Sequence, residues 1–93
     1  MMKLRIDYTN KFKKELEIAI KQNRNIKELF YVIDRIANHE QLEPKYKDHQ
    51  LKGKYANCRE CHIENDFLLI YQIFDDYMKL LLMRLGSHSK LFG

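Results

Sequence analysis

The sequence is poor in the features on which exported and membrane proteins rely. It has two cysteines, one proline, three glycines and no tryptophan among 93 residues. Two cysteines are too few for a disulfide scaffold, so we expect a reduced cytosolic chain. The longest apolar run, residues 67–71, is too short to cross a bilayer, and the first residues lack the apolar core of a secretion signal. We therefore expect a cytoplasmic protein without a membrane partner.

The charge of the chain is positive overall but unevenly distributed. A composition of 45% hydrophobic and 32% charged residues is typical of one globular domain, here residues 1–93. The net charge of +4 separates into +6 over residues 1–59 and −2 over residues 60–93. Within residues 44–59, Asp48 is the single acid beside five basic residues: Lys45, Lys47, Lys52, Lys54 and Arg59. Such a cluster is often a solvated loop, but it also permits a nucleic-acid partner.

The first half of the chain predicts one strand and two helices. Residues 4–8 alternate between apolar and polar side chains, which is the period of a half-buried strand. Thr9 or Asn10 can cap a first helix and Asn25 a second, and after each of these positions apolar residues recur at helical spacing. The predicted apolar stripes are Phe12, Leu16, Ala19 and Ile20 in the first helix, and Ile26, Leu29, Phe30, Ile33, Ile36 and Ala37 in the second.

The second half predicts a meander of three strands. Residues 40–53 contain the proline and show no period, so we predict a loop there. Three segments have strand patterns separated by turn signals: residues 59–64, 67–74 and 77–85. The tail, residues 86–93, is too polar to continue the sheet. The predicted class is α+β in the order β-α-α-β-β-β, an antiparallel sheet with two helices packed on one face.

Counting across two-residue turns predicts the register of this meander. Glu60 then opposes Tyr71, and Phe67 opposes Arg84. Side-chain alternation places four polar residues on the face away from the helices: Glu60, His62, Tyr71 and Arg84. It places six others toward the helices: Cys61, Ile63, Leu68, Ile70, Leu81 and Met83. A one-residue slip in either turn would scatter the polar group.

The polar group suits the cleavage of RNA by its own 2′-hydroxyl. That reaction needs a base for the 2′-hydroxyl, an acid for the departing 5′-oxygen and a cation for the phosphorane. Histidine titrates near neutrality and can fill either proton role, while the planar fork of arginine matches two phosphate oxygens. No metal and no other cofactor is required. Each of these side chains alone is a common inert surface group, and only their grouping favours a catalytic site.

The remaining histidines and the cysteines carry less information. His39 lies near the end of the second predicted helix, where an imidazole is favourable for structural reasons alone. His49 in the basic loop and His88 in the tail fit a structural or a functional role equally well. The Cys58–Cys61 pair has the spacing of half a zinc site, but the chain has no second pair. Residues three apart on a strand also face opposite ways, so we expect neither zinc nor redox chemistry there.

Four motifs follow one another in the second half of the chain. They are YKDHQLKG at residues 46–53, RECH at 59–62, DFLLIY at 66–71 and RLGSHSKLF at 84–92. In this order they resemble the YafQ branch of the RelE/ParE superfamily of toxins from bacterial toxin–antitoxin pairs. The β-α-α-β-β-β order agrees with that family over almost the whole chain, although residues 1–45 match in pattern only.

The resemblance implies a small endoribonuclease that acts on mRNA in the ribosomal A site. It also implies a cognate antitoxin protein that silences the enzyme. The toxin would bind operator DNA only through this antitoxin. The mRNA and the ribosome, with its rRNA, would be the other partners. Seven catalytic residues follow from the matching motifs: His49, Glu60, His62, Asp66, Arg84, His88 and Phe92. We expect RNA contacts from Lys45, Lys47, Lys52, Lys54, Arg59 and Tyr71.

For the proton transfers we expect His88 to be the general acid and His62 or His49 to be the general base. Glu60 and Asp66 would orient the imidazoles and raise their pKa values. Some relatives have aspartate at the position of Glu60, so the carboxylate here reaches one methylene further.

The other two residues of the set would bind the substrate. Arg84 would hold the scissile phosphate, and Phe92 would stack on a base beside the cut. Two alternatives stay open. ParE-like members of the superfamily inhibit DNA gyrase by binding and are not nucleases, and a toxin without activity would serve only as a co-repressor with its antitoxin.

Overall fold

The computed structural model describes residues 2–93 of the chain. In this part, strands and helices follow in the order β1 (Arg5–Tyr8), α1 (Asn10–Lys21), α2 (Ile26–Ala37), β2 (His49–Gln50), β3 (Arg59–Glu64), β4 (Phe67–Phe74), β5 (Lys79–Gly86) and α3 (His88–Phe92). Short 3-10 turns at Pro44–Tyr46, Gly53–Tyr55 and Asp75–Tyr77 join them. No helix among the described residues is both long and apolar enough to cross a membrane.

The strands form one sheet in the order β1-β5-β4-β3-β2. The pairs from β2 to β5 are antiparallel, and the predicted α+β class and element order are confirmed. The predicted sheet is wrong at β1, which pairs parallel with β5. Strand β2 and helix α3 were not predicted, because two and five residues are too few to show a period.

Helices α1 and α2 begin at the predicted caps and pack on one face of the sheet. The Thr9 hydroxyl accepts a hydrogen bond from the Phe12 N–H, and the Asn25 side chain accepts one from the Glu28 N–H. The predicted stripes are partly wrong. Two predicted core residues, Ile20 and Phe30, are each 52% exposed. Two others are buried instead: Glu15 and Val32.

The register of the meander differs from the predicted one at both turns. Glu64 does oppose Phe67, but an irregularity between His62 and Glu64 places Glu60 opposite Ile70. The second connection is longer than two residues, since the 3-10 turn at Asp75–Tyr77 is followed by a residue in the left-handed conformation. A further irregularity between β4 and β5 separates the pair Ile70–Arg84 from the pair Tyr71–Leu82.

These shifts change which side chains lie under the helices. Cys61 and Ile63 belong to the helix-side core, as predicted, and Tyr71 joins them there, although we predicted it on the opposite face. The predicted positions of four other residues are also wrong. Leu68, Ile70 and Met83 pack in a second cluster on the opposite face, and Leu81 alternates with the core residues Leu80 and Leu82. The second cluster is covered by residues 51–58 and α3.

Candidate active site

Three histidines from three different elements lie in one cluster, and two of them contact the same carboxylate. His49 Nε2 and His62 Nε2 lie 3.5 and 3.4 Å from the same oxygen, Glu60 Oε1. The ring centroids of His62 and His88 are 5.8 Å apart, and those of His49 and His62 are 6.3 Å apart. Glu60 and His62 were predicted to share one face of β3. The structure brings His49 and His88 close to them, which the spacing along the chain could not predict.

Glu60 lies at the base of this cluster. It is 2% exposed and is paired across the sheet with His49 on β2 and Ile70 on β4. Its second oxygen, Oε2, is buried and accepts no hydrogen bond from the described residues. A buried carboxylate is costly unless polar or charged partners compensate it, and the two imidazoles at Oε1 are its neighbours of this kind.

The turn between β3 and β4 is tied to the start of α3. Asp66 has φ 54, a left-handed conformation that aspartate tolerates in tight turns. Its Oδ1 accepts a hydrogen bond of 2.9 Å from the His88 N–H and lies 3.9 Å from His88 Nδ1. The Ser87 hydroxyl caps the helix by accepting the Lys90 N–H. His88 is thereby held as the first residue of α3, with its ring beside His62.

Two aromatic rings form the rim of the site. The Phe92 ring lies 5.8 Å from the His88 ring and meets the Tyr55 ring edge-on at 6.0 Å. Phe92 is 47% exposed, so it has a free surface on which a base can stack. Tyr55 was not among the predicted site residues, although its ring, interleaved with the lysines of the basic cluster, was a stacking surface visible in the sequence.

Arg84 does not touch the histidines directly but is linked to this rim. Its Nε and Nη2 donate to the Glu15 carboxylate at 2.8–3.3 Å, and its Nη1 donates to the Tyr55 hydroxyl at 2.9 Å. Glu15 also accepts the Leu85 N–H, beyond the last β1–β5 pair. One hydrogen each on Nη1 and Nη2 is left for another acceptor. Glu15 was missed because it lies among apolar residues of α1.

Burial lowers the pKa of His62 below its usual value. The Glu60 carboxylate acts in the opposite direction, while Lys47, His88 and His49 add to the lowering. We predicted that the pKa of His62 would be raised, and this is wrong. The loss of solvent and the nearby positive charges lower the pKa more than the Glu60 carboxylate raises it. His62 is consequently neutral near pH 7.

The predicted RNA contacts form two groups: some side chains are exposed to solvent, and others are hydrogen-bonded within the protein. The four lysines are exposed on the connection between α2 and β3: Lys45, Lys47, Lys52 and Lys54. Arg59 donates to Asp48 Oδ2 from Nε and Nη2, at 3.2 and 3.0 Å. Tyr71 is 3% exposed and donates to Asp48 Oδ1 at 2.6 Å. Its ring offers no surface to a base, and we assign it no RNA contact.

The cysteines and the other histidine stand apart from this site. Cys58 and Cys61 lie in the two apolar clusters on opposite faces, and burial raises the pKa of both thiols. His39 has its Nε2 2.9 Å from the Met2 carbonyl oxygen. Within residues 2–93, no group of three or more His, Cys, Asp or Glu side chains has the geometry to hold a metal ion.

Comparison with known proteins gives consistent matches over nearly the whole chain. The curated mRNA interferase toxin YafQ of Escherichia coli K12 is 32% identical, and the alignment covers 100% of both chains. A metal-bound toxin from Helicobacter pylori is 47% identical, with a TM-score of 0.91 over 96% of this chain and 99% of that one. The E. coli DinJ-YafQ toxin-antitoxin complex gives 32% identity and a TM-score of 0.89, covering 99% and 100%. The family model described as the bacterial toxin of type II toxin-antitoxin systems, YafQ, matches residues 4–93, and the chain belongs to this family.

Proposed function

We propose that this toxin is an mRNA endoribonuclease that cuts by attack of the RNA 2′-hydroxyl on the adjacent phosphate. The observation that carries the proposal is the row of three imidazoles: His49 and His62 share the buried Glu60 carboxylate, and the His88 ring lies beside that of His62. A protein that acts only by binding needs no such set of groups that titrate near neutrality. The E. coli relative is named an mRNA interferase, which agrees with this activity.

In the proposed mechanism His62 is the general base and His88 the general acid. The lowered pKa keeps the His62 imidazole neutral, as a base must be before it accepts the 2′-hydroxyl proton. His88 gives its proton to the departing 5′-oxygen, and the Asp66 carboxylate, whose Oδ1 accepts the His88 N–H and lies 3.9 Å from Nδ1, holds it in place for this step. The products are a 2′,3′-cyclic phosphate and a 5′-hydroxyl. His49 is the alternative base, because it faces the same Glu60 oxygen.

Two further groups complete the substrate site in this proposal. Arg84 has one hydrogen free on each terminal nitrogen for a phosphate oxygen, and its pairing with Glu15 fixes the plane of the fork. Phe92 provides the stacking surface for the base beside the cut. The reaction uses protein side chains for every proton and charge, and no step is assigned to a metal ion. Protein dialysed against EDTA is therefore expected to cut as well as untreated protein.

The partners in this proposal are RNA, the ribosome and an antitoxin. The exposed lysines at residues 45–54 would contact the phosphate backbone of mRNA or rRNA. The E. coli YafQ structure with DinJ supports a cognate antitoxin for this chain, and operator DNA would be reached through that antitoxin. Cleavage of mRNA on ribosomes would take place in the cytoplasm, with residues 1–93 acting as one domain.

The deciding experiment is cleavage of ribosome-bound mRNA by purified protein, mapped by primer extension. We expect discrete cuts with the wild type and a loss of about 10²–10⁴ in rate with His88→Ala. Lys13→Gln on the exposed face of α1 is a control that should cut normally. Full cleavage by His88→Ala would contradict the assignment of the acid.

Growth assays separate the remaining functions. Induction of the protein alone should stop growth with broken mRNA and undamaged DNA. DNA damage with intact mRNA would favour a gyrase inhibitor instead. Normal growth of cells that contain the folded protein would favour a co-repressor without activity.

A further inference from the structure

We infer that Asp48 is a positioning residue, held by Tyr71 and Arg59, that fixes the His49 imidazole against Glu60. This inference rests on the proposed nuclease function, because it assigns a role within the same site. It also gives a different role to Tyr71 and Arg59, which the sequence suggested as RNA contacts.

The strand that carries His49 is short and is held by polar contacts, among them the Gln50 side-chain amide, which donates to the Ala56 and Cys58 carbonyl oxygens at 2.6 and 2.9 Å. Strand β2 is two residues long, lies at the edge of the sheet and forms only the pairs His49–Glu60 and Gln50–Arg59. Across residues 47–50 only Asp48 is shielded from solvent, so no apolar side chain anchors this segment. Lys47, just before it, has φ 49 and therefore carries the strain of a left-handed residue. The segment needs a polar anchor to keep one conformation.

Asp48 provides that anchor from both of its oxygens. Oδ1 accepts the Tyr71 hydroxyl at 2.6 Å, and Oδ2 accepts Arg59 Nε and Nη2 at 3.2 and 3.0 Å. Tyr71 lies in the helix-side core on β4, and Arg59 lies on β3, so the carboxylate is tied to two inner strands. The hydrogen bond with Asp48 also raises the pKa of Arg59 and, after burial, that of Tyr71. A charge-assisted pair of this kind is stronger than a neutral hydrogen bond.

The position of Asp48 determines the state of the neighbouring imidazole. His49 Nδ1 lies 2.6 Å from the Lys47 carbonyl oxygen, which can only accept, so Nδ1 carries a hydrogen. Nε2, 3.5 Å from Glu60 Oε1, is then the nitrogen that gains or loses a proton. Release of Asp48 would free the left-handed Lys47, and with it the carbonyl that selects this tautomer. Asp48 thus positions the His49 imidazole through the backbone of Lys47 and His49, and it does not touch the substrate.

The test combines Tyr71→Phe with His49→Ala in steady-state cleavage assays. Tyr71→Phe keeps the buried ring and removes one hydroxyl, and we expect kcat to fall about tenfold while KM for RNA is unchanged. We call Asp48 and its partners Tyr71 and Arg59 the clamp. In the His49→Ala background the same change should have no further effect, because the clamp acts through His49. An equal loss in both backgrounds, or a rise in KM alone, would overturn the inference. Asp48→Asn, which keeps the acceptor for Tyr71 but weakens the Arg59 pair, should fall between wild type and Tyr71→Phe.

Tyr46→Phe is the matched control. Tyr46 is 2% exposed and donates to Glu28 at 3.0 Å, so its substitution also removes one buried hydrogen bond from a tyrosine to a carboxylate. It should lose stability as Tyr71→Phe does but keep the wild-type kcat. If both variants lost kcat equally, the effect would be general weakening of the fold and the clamp would be rejected.

A spectroscopic measurement separates this inference from the proposed function. In ¹⁵N-labelled wild-type protein, the His49 ring should show the Nδ1–H form, and in Tyr71→Phe it should show a mixture of tautomers. This result would support the clamp even if the protein cut no RNA, in which case only the proposed function would fail. An unchanged His49 ring in Tyr71→Phe would overturn the clamp even if the enzyme were active.

Discussion

At the scale of single residues, burial determines what each imidazole can do. His62 and His88 are chemically identical, but His62 sits on a strand beside a buried carboxylate and His88 opens a short exposed helix. Burial lowers the pKa of His62, whereas Asp66 places a carboxylate oxygen near His88. In the proposed mechanism these different surroundings separate a base from an acid of the same residue type.

The lowered pKa of His62 predicts the acid limb of the pH profile. A general base works when neutral, so kcat/KM, which reports the free enzyme, should rise with pH through the pKa of His62 and have a midpoint below 6.5. The measurement is single-turnover cleavage of a short RNA between about pH 4.5 and pH 8. His62→Gln should lower the rate by about 10²-fold or more and remove this limb. A limb that persisted in His62→Gln would assign the base to His49.

The buried pair of Glu15 and Arg84 predicts a large effect on stability. The two side chains are 8% and 14% exposed, so Glu15→Ala leaves the Arg84 charge without its partner in a mostly dry place. We expect the free energy of unfolding, measured with urea, to fall by about 3–5 kcal/mol. The control is Asp34→Ala, which breaks the solvent-exposed pair with Lys3 and should cost at most about 1 kcal/mol. If both substitutions lowered the free energy of unfolding by similar amounts, burial would not be the reason for the large effect of Glu15→Ala.

At the scale of elements, the site depends on two very short ones. Strand β2 and helix α3 are two and five residues long, and neither would be stable by itself. Side-chain hydrogen bonds fix both elements. Asp48 ties β2 to Tyr71, and Asp66 and Ser87 accept backbone N–H groups of α3. Short elements that are held in this way can place a candidate site residue while contributing little to the core, here Leu91 of α3.

The contact between the β3–β4 turn and α3 predicts a difference between two substitutions of Asp66. Asp66→Asn keeps the left-handed turn and the acceptor for the His88 N–H, so kcat should fall less than about tenfold. Asp66→Ala loses both and allows His88 to move, and kcat should fall about 10²-fold. Both rates are measured by primer extension on the same mRNA. Equal losses would indicate that only the negative charge of Asp66 matters.

At the scale of the whole molecule, the uneven charge separates binding from chemistry. The lysines of the connection between α2 and β3 are exposed, while the acids Glu60 and Asp66 belong to the candidate site. A net charge of +4 is therefore the sum of a basic surface and a site whose acids partly cancel it. A surface of this kind binds nucleic acid with a strong dependence on salt.

This separation predicts the salt dependence of RNA binding. For the inactive His88→Ala protein, affinity for a single-stranded RNA should fall linearly on a log–log plot against KCl concentration. Lys52→Gln should reduce the slope by about 0.7, the value for one phosphate contact. Lys13→Gln on the exposed face of α1 should leave the slope unchanged. Equal changes for both lysines would show that only the net charge acts. The measurement is fluorescence anisotropy.

The sequence by itself determined the order of the main elements and most of the site. Periods of 3.6 and 2 identified α1, α2 and the meander, because side chains on one face of an element share one environment. The motifs at residues 46–53, 59–62, 66–71 and 84–92 nominated His49, His62 and His88 before their positions were known. The order of the elements needed only local pattern, whereas the nomination of His49 and His88 also needed the resemblance to the YafQ family.

Only the tertiary structure decided the register and the partners of the polar groups. Two irregularities in the meander moved Tyr71 into the core and set Arg84 opposite Ile70, and such bulges are fixed by packing rather than by local pattern. The pairing of Glu15 with Arg84 joins residues 69 positions apart. The lowered pKa of His62 arises from burial, which depends on the whole fold around it. The sequence therefore specified which chemical groups are present, and packing over long separations decided which of them meet.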